Sequence, residues 1–548
     1  MKRINIFAVL TMSASALFAQ TQYDAARITG TELNGTARFV GMGGAMGALG
    51  ADISVIGTNP AGIALFRSHN VSTSFGFNKN MTSSTFNGTK VNDSRTKASF
   101  DQIGFVYSNK IGNKTNLRYL NFGFNYHKAA NFNRQFSSKG ALNGSSLSWQ
   151  MTDMIAGAGL GTQNYYDNIL DARDPYSSLI FGKEFGHPYL GFMGVRTGLV
   201  DGYTEKDEFG NDQFYMNGWN GDMGEYYSRE EGGINQYDFN MSFNVKDRYY
   251  FGVTLGVYDV NYNRYSSYSE SLLYNGEDNG NFILNNWFST QGTGYDLKFG
   301  FIARPFEYSP FRVGLAVHTP VWYMLTDRYT SVLETGITYF GEPYTENLSD
   351  YLNPDYVWDY RMRTPWKFNV NMGTTFSGVL AVGAEYEYSD YSYINYKDYD
   401  GYDLSSSNAA TEKYLKGVHT LKLGMEAMLT PSFSFRAGYN YVTSAFKEGS
   451  ARYIPNLETM MDKYIWFDET RTDPEYHNIK ARNTITLGLG YSGRVVYADV
   501  AYKYDFYKSD FFMFDDYIND GINVIDRNNS ALVDHNRHQV LFTVGCRF

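Results

Sequence analysis

The sequence predicts an all-β protein: a 14-stranded antiparallel transmembrane β-barrel whose lumen is plugged by an N-terminal hatch of short helices. Three observations carry that prediction. Apolar and polar residues alternate with a period of two, which puts successive side chains on opposite faces of a strand. The connections between these stretches are long and short by turns. Charged residues are confined to one of the two faces.

The alternation is clearest mid-chain. Tyr237, Phe239, Met241, Phe243 and Val245 are separated by Asp238, Asn240, Ser242 and Asn244. A turn at Lys246-Asp247-Arg248 leads into Phe251, Val253, Leu255 and Val257, interleaved with Gly252, Thr254 and Gly256. Equivalent hairpins turn at 304–310, Ser377-Gly378-Val379, Thr430-Pro431-Ser432 and Ser492-Gly493-Arg494. Upstream, Val71 to Phe77, Ile103 to Tyr107 and Leu120 to Tyr126 alternate in the same way, and a last strand carries Val540, Phe542, Val544, Cys546 and Phe548. The count is about 14, an even number as bacterial barrels have.

From the first strand onward the connections run to about 20, 10, 110, 3, 35, 7, 35, 3, 30, 3, 40, 3 and 30 residues. Short turns at one end and long loops at the other are a membrane-barrel trait. About 60 apolar-register positions hold no Asp, Glu, Lys or Arg, although these make up 19% of the chain. The other face carries Asp238, Lys298, Arg312, Lys367, Glu385, Glu387, Lys422, Glu426, Arg436, Asp499, Lys503 and Arg547. A Lys or Arg facing lipid at the bilayer midplane costs ~2–4 kcal/mol, whereas a wet lumen accepts it. Closure removes the sheet edges that lipid could not satisfy.

Composition agrees. The 548 residues include 48 Tyr and 40 Phe, an aromatic load above ordinary soluble usage. Mean hydropathy is −0.40, and past the first twenty positions no apolar run approaches the ~20 residues of a spanning helix. The net charge of −10 argues against nucleic acid, and the single cysteine excludes a disulfide framework or a multi-thiolate metal site.

The ends carry addresses. Lys2 and Arg3 precede an apolar stretch from Ile4 to Leu17 with small residues around Ala16 and Ala19, the pattern of a secretory signal peptide over 1–19. Cleavage after Ala19 leaves Gln20 first; the alternative site is Ala14-Ser15-Ala16. No cysteine follows, so a lipid anchor there is excluded. At the other end, the alternation finishing on Phe548 resembles the signal read by outer-membrane barrel assembly machinery, and Cys546 falls in the lipid-facing row.

Residues 20–70 lack strand alternation and hold the small-residue run from Gly41 to Asp52. Such a run could suggest a phosphate-binding turn, but it follows no strand and sits in no βαβ unit. Small residues also let short helices pack tightly in a confined space. The barrel would then span 71–548, with a long extracellular loop at 127–235. That loop is rich in apolar residues, among them Ile155, Leu160, Tyr165, Tyr166, Ile169, Leu170, Leu179, Ile180, Phe181, Leu190, Phe192 and Leu199. Short helices over the barrel mouth are expected, either offering a substrate groove or only capping the barrel.

Several of these segments carry a resemblance. Residues 37–52 (A-R-F-V-G-M-G-G-A-M-G-A-L-G-A-D) with Thr58-Asn59-Pro60-Ala61-Gly62 resemble the hatch of the FadL/TodX family of outer-membrane transporters for hydrophobic compounds. Arg312 to Ala316 with Thr319-Pro320, Thr364-Pro365-Trp366 with Glu385 to Ser392, and Leu423 to Glu426 with Phe435 to Tyr441 resemble its barrel hairpins. The resemblance spans nearly the whole mature chain and implies a 14-stranded barrel, capture at an outward groove, a site beside the hatch, and sideways exit through a gap in the wall, all by diffusion. It maps Asn59, Pro60 and Ala61 onto the hatch triplet. Pro60 is expected to end a short helix, with Asn59 satisfying the freed backbone groups.

The function read from this is passive uptake of small hydrophobic, fatty-acid-like molecules by a monomer without cofactor or metal. Its surroundings would be outer-membrane lipid and lipopolysaccharide. Arg436 and Lys422, with Lys298 and Arg312, are candidates to hold a ligand's carboxylate headgroup through charge-assisted hydrogen bonds. Alternatively they form a lumen network with Glu385, Glu387 and Glu426 that anchors the hatch. Tyr391, Tyr393, Tyr396, Tyr399 and Tyr402 suit an interfacial girdle. Eight histidines are scattered, and since some of the family are haem receptors, one could ligate iron. Only His535 and His538 are closely spaced, and they point to different faces. No Ser/His/Asp arrangement is visible, so an enzyme is not expected. A structural or secretion-associated barrel remains the other class, distinguished by a lumen filled with polar side chains rather than a continuous apolar pocket.

Overall fold

A computed structural model describes residues 20–157, 162–171, 189–206, 209–339, 342–347, 356–452, 471–515, 517–519, 524–526 and 529–548. The expected signal peptide, 1–19, lies outside them. So do Leu160, Leu179, Ile180 and Phe181 of the long loop and the side chain of Tyr165.

Fourteen antiparallel staves close a barrel. They are β1 (Asn70–Phe86), β2 (Thr89–Lys110), β3 (Leu117–Asn131, continued by Arg134–Ala141), β4 (Asn220–Val245) and β5 (Tyr249–Tyr274). Next come β6 (Glu277–Ala303), β7 (Arg312–His318, continued by Trp322–Tyr339), β8 (Tyr356–Arg363, continued by Lys367–Phe376) and β9 (Leu380–Asp390, continued by Asn395–Asp398). The last five are β10 (Gly417–Met428), β11 (Phe433–Val442), β12 (Tyr476–Ser492), β13 (Val496–Phe512) and β14 (Ser530–Arg547). Each stave pairs with its neighbour in sequence, and β14 pairs back with β1 from Arg547 opposite Asn70 to Leu532 opposite Thr85. The apolar rows face outward: Phe75, Phe105, Phe239, Phe251, Phe299, Val370, Leu423, Leu487 and Phe542 are all exposed on the barrel surface. A closed sheet with an apolar exterior and lopsided loops is outer-membrane architecture, with the short turns on the periplasmic side, and the protein is an outer-membrane barrel.

The staves run well beyond the membrane. β4, β5 and β6 have 26, 26 and 27 residues, where crossing takes ~9–11. Along β5 the hydrophobic phase changes face. Phe251, Val253 and Leu255 point out, whereas past Val257 the buried, inward residues are Tyr258, Val260, Tyr262, Tyr268 and Leu272, with Asn261 and Asn263 exposed. Outside the bilayer the exterior is water, and the apolar face turns in to a dry interior.

Two expected boundaries change accordingly. β1 and β2 continue to a two-residue turn at Asn87-Gly88, both with positive φ (44° and 85°), in place of a twenty-residue connection. The loop expected at 127–235 shrinks to 142–219, because β3 continues to Ala141 and β4 begins at Asn220. This loop holds α3 (Leu147–Gly157), α4 (Gln163–Asp171), α5 (Tyr189–Arg196) and a hairpin of Asp201–Lys206 with Asp212–Asn217. Met151, Ile155, Leu190, Phe192 and Leu199 from the loop form one core with Phe136, Tyr226, Leu272, Phe282 and Phe511 from the inner wall. The described part of the loop is a cap seated inside the barrel mouth.

Three adjacent staves break level with one another, at Thr319–Val321 in β7, Thr364–Trp366 in β8 and Tyr391–Tyr393 in β9. Val321 and Thr364 hold the break together, Val321 N–H donating to the Thr364 hydroxyl at 2.8 Å. Above it β10 and β11 have ended, and α6 (Ser405–Tyr414) with the N-terminal residues fills the space between β9 and β12. Of the tyrosines expected in a girdle, Tyr393, Tyr399 and Tyr402 are exposed, but Tyr391 and Tyr396 point inward and are buried, following the same change of phase.

Candidate functional site: a chamber beside the hatch

Residues 20–69 descend through the lumen. α1 (Gln22–Thr29) opens on a capping box, in which Thr21 and Asp24 satisfy each other's backbone N–H groups. α2 (Ala37–Gly41) is capped by Thr36, whose hydroxyl also donates to Asp52 at 2.8 Å. Asp52 in turn caps a 3₁₀ turn at Ile53–Gly57, and Asn59 caps a second at Pro60–Leu65 by accepting from Ala61 N–H at 3.1 Å. Pro60 therefore starts a helical turn instead of ending one. Its missing N–H falls at the first position, where no intrahelical partner exists. The Asn59 amide reaches the wall as well, donating to Asn371 at 3.2 Å.

The wall receives this backbone through glycines. A side chain at Gly252 would strike the backbone of Pro60, and one at Gly424 that of Met42. Inward-facing glycines in the periplasmic half of successive staves are the sequence signal for a docked plug. That signal lay in the face read only as polar.

Each of the four candidate cations is engaged. Arg436 contacts Glu426 at 2.5 Å and Asp499 at 2.6 Å, and Arg38 of the hatch grips the same Glu426 with two bonds of 2.9 Å. Lys422 bonds Glu385 at 2.6 Å with Glu387 at 3.7 Å. Lys298 sits between Asp238 and Asp296, at 2.8 and 3.0 Å. Arg312 donates to the hatch carbonyl of Leu49 at 2.7 Å. Around the hatch these charges bind one another and the plug.

Within the lumen, beside the hatch, lies a cavity of about 400 Å³. Its apolar lining includes Ile28, Ala130, Ile234, Val321 and Phe446; its polar lining includes Arg27, Arg134, Arg264, Arg482 and Arg537. Most of these arginines are paired: Arg134 with Glu230 and Arg537 with Glu32, both at 2.6 Å, and Arg264 with Asp473. Arg482 stacks on Tyr507 at 5.1 Å, and no described carboxylate lies within ion-pair distance of it. Sequence reading missed all of them: four belong to the upper ends of the staves, beyond the apolar rows it followed, and Arg27 to α1.

α1 forms one side of the chamber. Asp24 is pinned by Arg471 at 2.6 Å and Arg27 at 2.9 Å. Burial alone would raise its carboxyl pKa, but Arg471, Arg27 and the Thr21 hydroxyl together hold it below the usual carboxylate range. His477 and His535 also face the chamber, both bonded to Ser509, with ring centroids 6.0 Å apart. His538 points outward to Tyr502, as the spacing predicts. Among the described residues no group of three His, Cys, Asp or Glu is arranged to hold a metal.

No family model matches the chain, and no curated protein matches it. Among solved structures it is similar to a Pseudomonas aeruginosa FadL homologue, at 12% identity and a TM-score of 0.49, over 94% of this chain and 99% of that one. It is also similar to the P. putida toluene transporter TodX (10% identity, TM-score 0.43, 94% and 99%). A third is the Ralstonia pickettii toluene transporter TbuX (14% identity, TM-score 0.41, 94% and 99%).

Proposed function

We propose that the protein is a channel for passive uptake of small hydrophobic molecules across the outer membrane, with the chamber beside the hatch as its binding station. The observation that carries this reading is the chamber itself. About 400 Å³ falls in the range of ligand pockets, ~300–1,000 Å³, and its lining joins an apolar surface to arginine. A molecule with an apolar body and one polar end fits such a lining, and Arg482 is the cation best placed to meet that end. The aligned breaks in β7–β9 border the chamber through Val321, Thr364 and Tyr391, which makes them the place for sideways release. No step in this reading is catalytic.

The test is native mass spectrometry of the detergent-purified protein, alongside flux of a labelled fatty acid into proteoliposomes. Co-purification of a hydrophobic molecule is expected, with its loss and reduced flux in Ala130→Trp, which fills the apolar lining. A second reading, a structural or secretion-associated barrel, is favoured by the ionic pairs that fill the lumen around the hatch. Absence of any hydrophobic ligand, with permeability unchanged on deleting residues 20–70, would decide for that second reading.

A further inference from the structure

The periplasmic end of the barrel is charged against the trend of the chain. Overall, 57 acidic residues outnumber 47 basic ones. In the periplasmic turns and at the barrel's two ends (67–69, 110–118, 246–248, 304–310, 377–379, 429–432, 493–495 and 547–548) the side-chain carboxylates are only Asp247 and Glu307. Against them stand Lys110, Lys114 and Arg118 around the β2–β3 turn, Lys246 and Arg248 after β4, and Arg304 after β6. Arg494 follows β12, and Arg67 and Arg547 flank the seam of β1 and β14. Arg67 takes up Asp247 at 2.6 Å, while Arg248 and Arg304 bond backbone carbonyls. Lys110, Lys114, Lys246 and Arg494 are exposed, with no described carboxylate in ion-pair distance.

We infer that this rim binds the headgroups of anionic phospholipids in the inner leaflet of the outer membrane. Charge complementarity names an anion. The position of the cations favours lipid over a soluble acidic protein. They sit at the periplasmic ends of the staves, immediately below the outward apolar rows, as an arc over five consecutive positions of the seven around the rim. At the outer surface Arg248 lies over the exposed Tyr249 at 5.6 Å. An aromatic ring at the interface with a cation above it marks the headgroup plane, where long basic side chains lay their stems on apolar surface and their charge in water. Exposed Phe306, Tyr308, Phe433 and Phe548 complete the girdle at that height. An anionic headgroup there gains from every nearby Lys or Arg, and the gain is screened by salt.

The probe is spin-labelled phosphatidylglycerol against spin-labelled phosphatidylcholine, read as the fraction of each motionally restricted by the full-length protein in bilayers. Restriction of phosphatidylglycerol by about twofold or more over phosphatidylcholine is expected at low salt, falling toward parity at 1 M NaCl. The combined variant Lys110→Gln, Lys114→Gln, Lys246→Gln and Arg494→Gln should lose most of that preference while keeping the heat-modifiable gel shift of a folded barrel. Equal restriction of the two lipids by the wild type would overturn the inference, as would a preference that survives high salt. A folded variant with undiminished lipid preference, or one whose only change is loss of an acidic periplasmic protein, would overturn it too. The salt series on the wild type decides the matter if the variant does not fold.

Discussion

Arg38 in the hatch and Glu426 on β10 meet in a two-bond ion pair, 2.9 Å on each arm, and Arg436 from the neighbouring stave shares the same carboxylate. One wall residue thus joins plug and barrel. Removing its charge in Glu426→Gln leaves two guanidinium groups with Asp499 as their remaining shared acid. The expected cost is about 2 kcal/mol, less than for a fully buried pair, because Arg38 and Glu426 keep side-chain exposures of 28% and 15%. Hydrogen exchange should rise across residues 37–52 while the staves stay protected; unchanged exchange there would mean that the pair does not hold the plug.

The glycines of the inner wall give a sharper test of how the hatch docks. Gly252→Ala places a methyl group against the backbone of Pro60 and Ala61, so the 3₁₀ turn Pro60–Leu65 must shift. Gly336, also in a stave and with negative φ, has open space where its Cβ would stand. Gly336→Ala should leave the protein unchanged, whereas Gly252→Ala should raise exchange at Ala61 to Leu65. Equal behaviour of the two would refute close docking at this point.

Asp24 sets how the N-terminal segment responds to acid. Its pKa is depressed in the folded protein, so the stability it lends is present above the ordinary carboxylate pKa and is lost as pH falls through the lower, folded value. Protection of residues 21–29 should therefore persist through pH 4, where exposed carboxylates are already taking up protons. Asp24→Asn removes the ion pairs to Arg471 and Arg27 and should abolish that protection at neutral pH. Retained protection in the variant would assign the anchoring to the bonds of Thr21 and Gln22 with Tyr396 and Ala451.

What could be read from the sequence follows the solvent on the far side of the wall. Within the bilayer the lipid-facing row is apolar and free of charge along β5, so Phe251, Val253 and Leu255 announce both strand and face. Above it the same strand continues, but the apolar residues are now Tyr258, Val260 and Tyr262, one position out of phase. A reading that follows one phase stops at Val257 and assigns the rest to a loop. That is why strand number and order were legible while strand length, the cap and the arginines of the chamber were not. The ion pairs of Lys422 and Arg436 were foreseeable as alternatives to ligand binding, since Glu385 and Glu426 share their face. Glu385 lies directly across from Lys422, and Glu426 directly across from Arg436.

That change of phase also makes the energetic role of a residue depend on height. Leu423 lies in the middle of the outward row of β10, and Tyr388 near the outer end of the corresponding row of β9. Arginine at the midplane is expected to cost ~2–4 kcal/mol, and near the interface ~0–1 kcal/mol, because there the side chain can carry its charge into water. Leu423→Arg should therefore lower the urea midpoint of the barrel in lipid vesicles clearly, and Tyr388→Arg little. An equal cost at both positions would mean that the two residues share one environment. The outward rows would then meet something other than a bilayer.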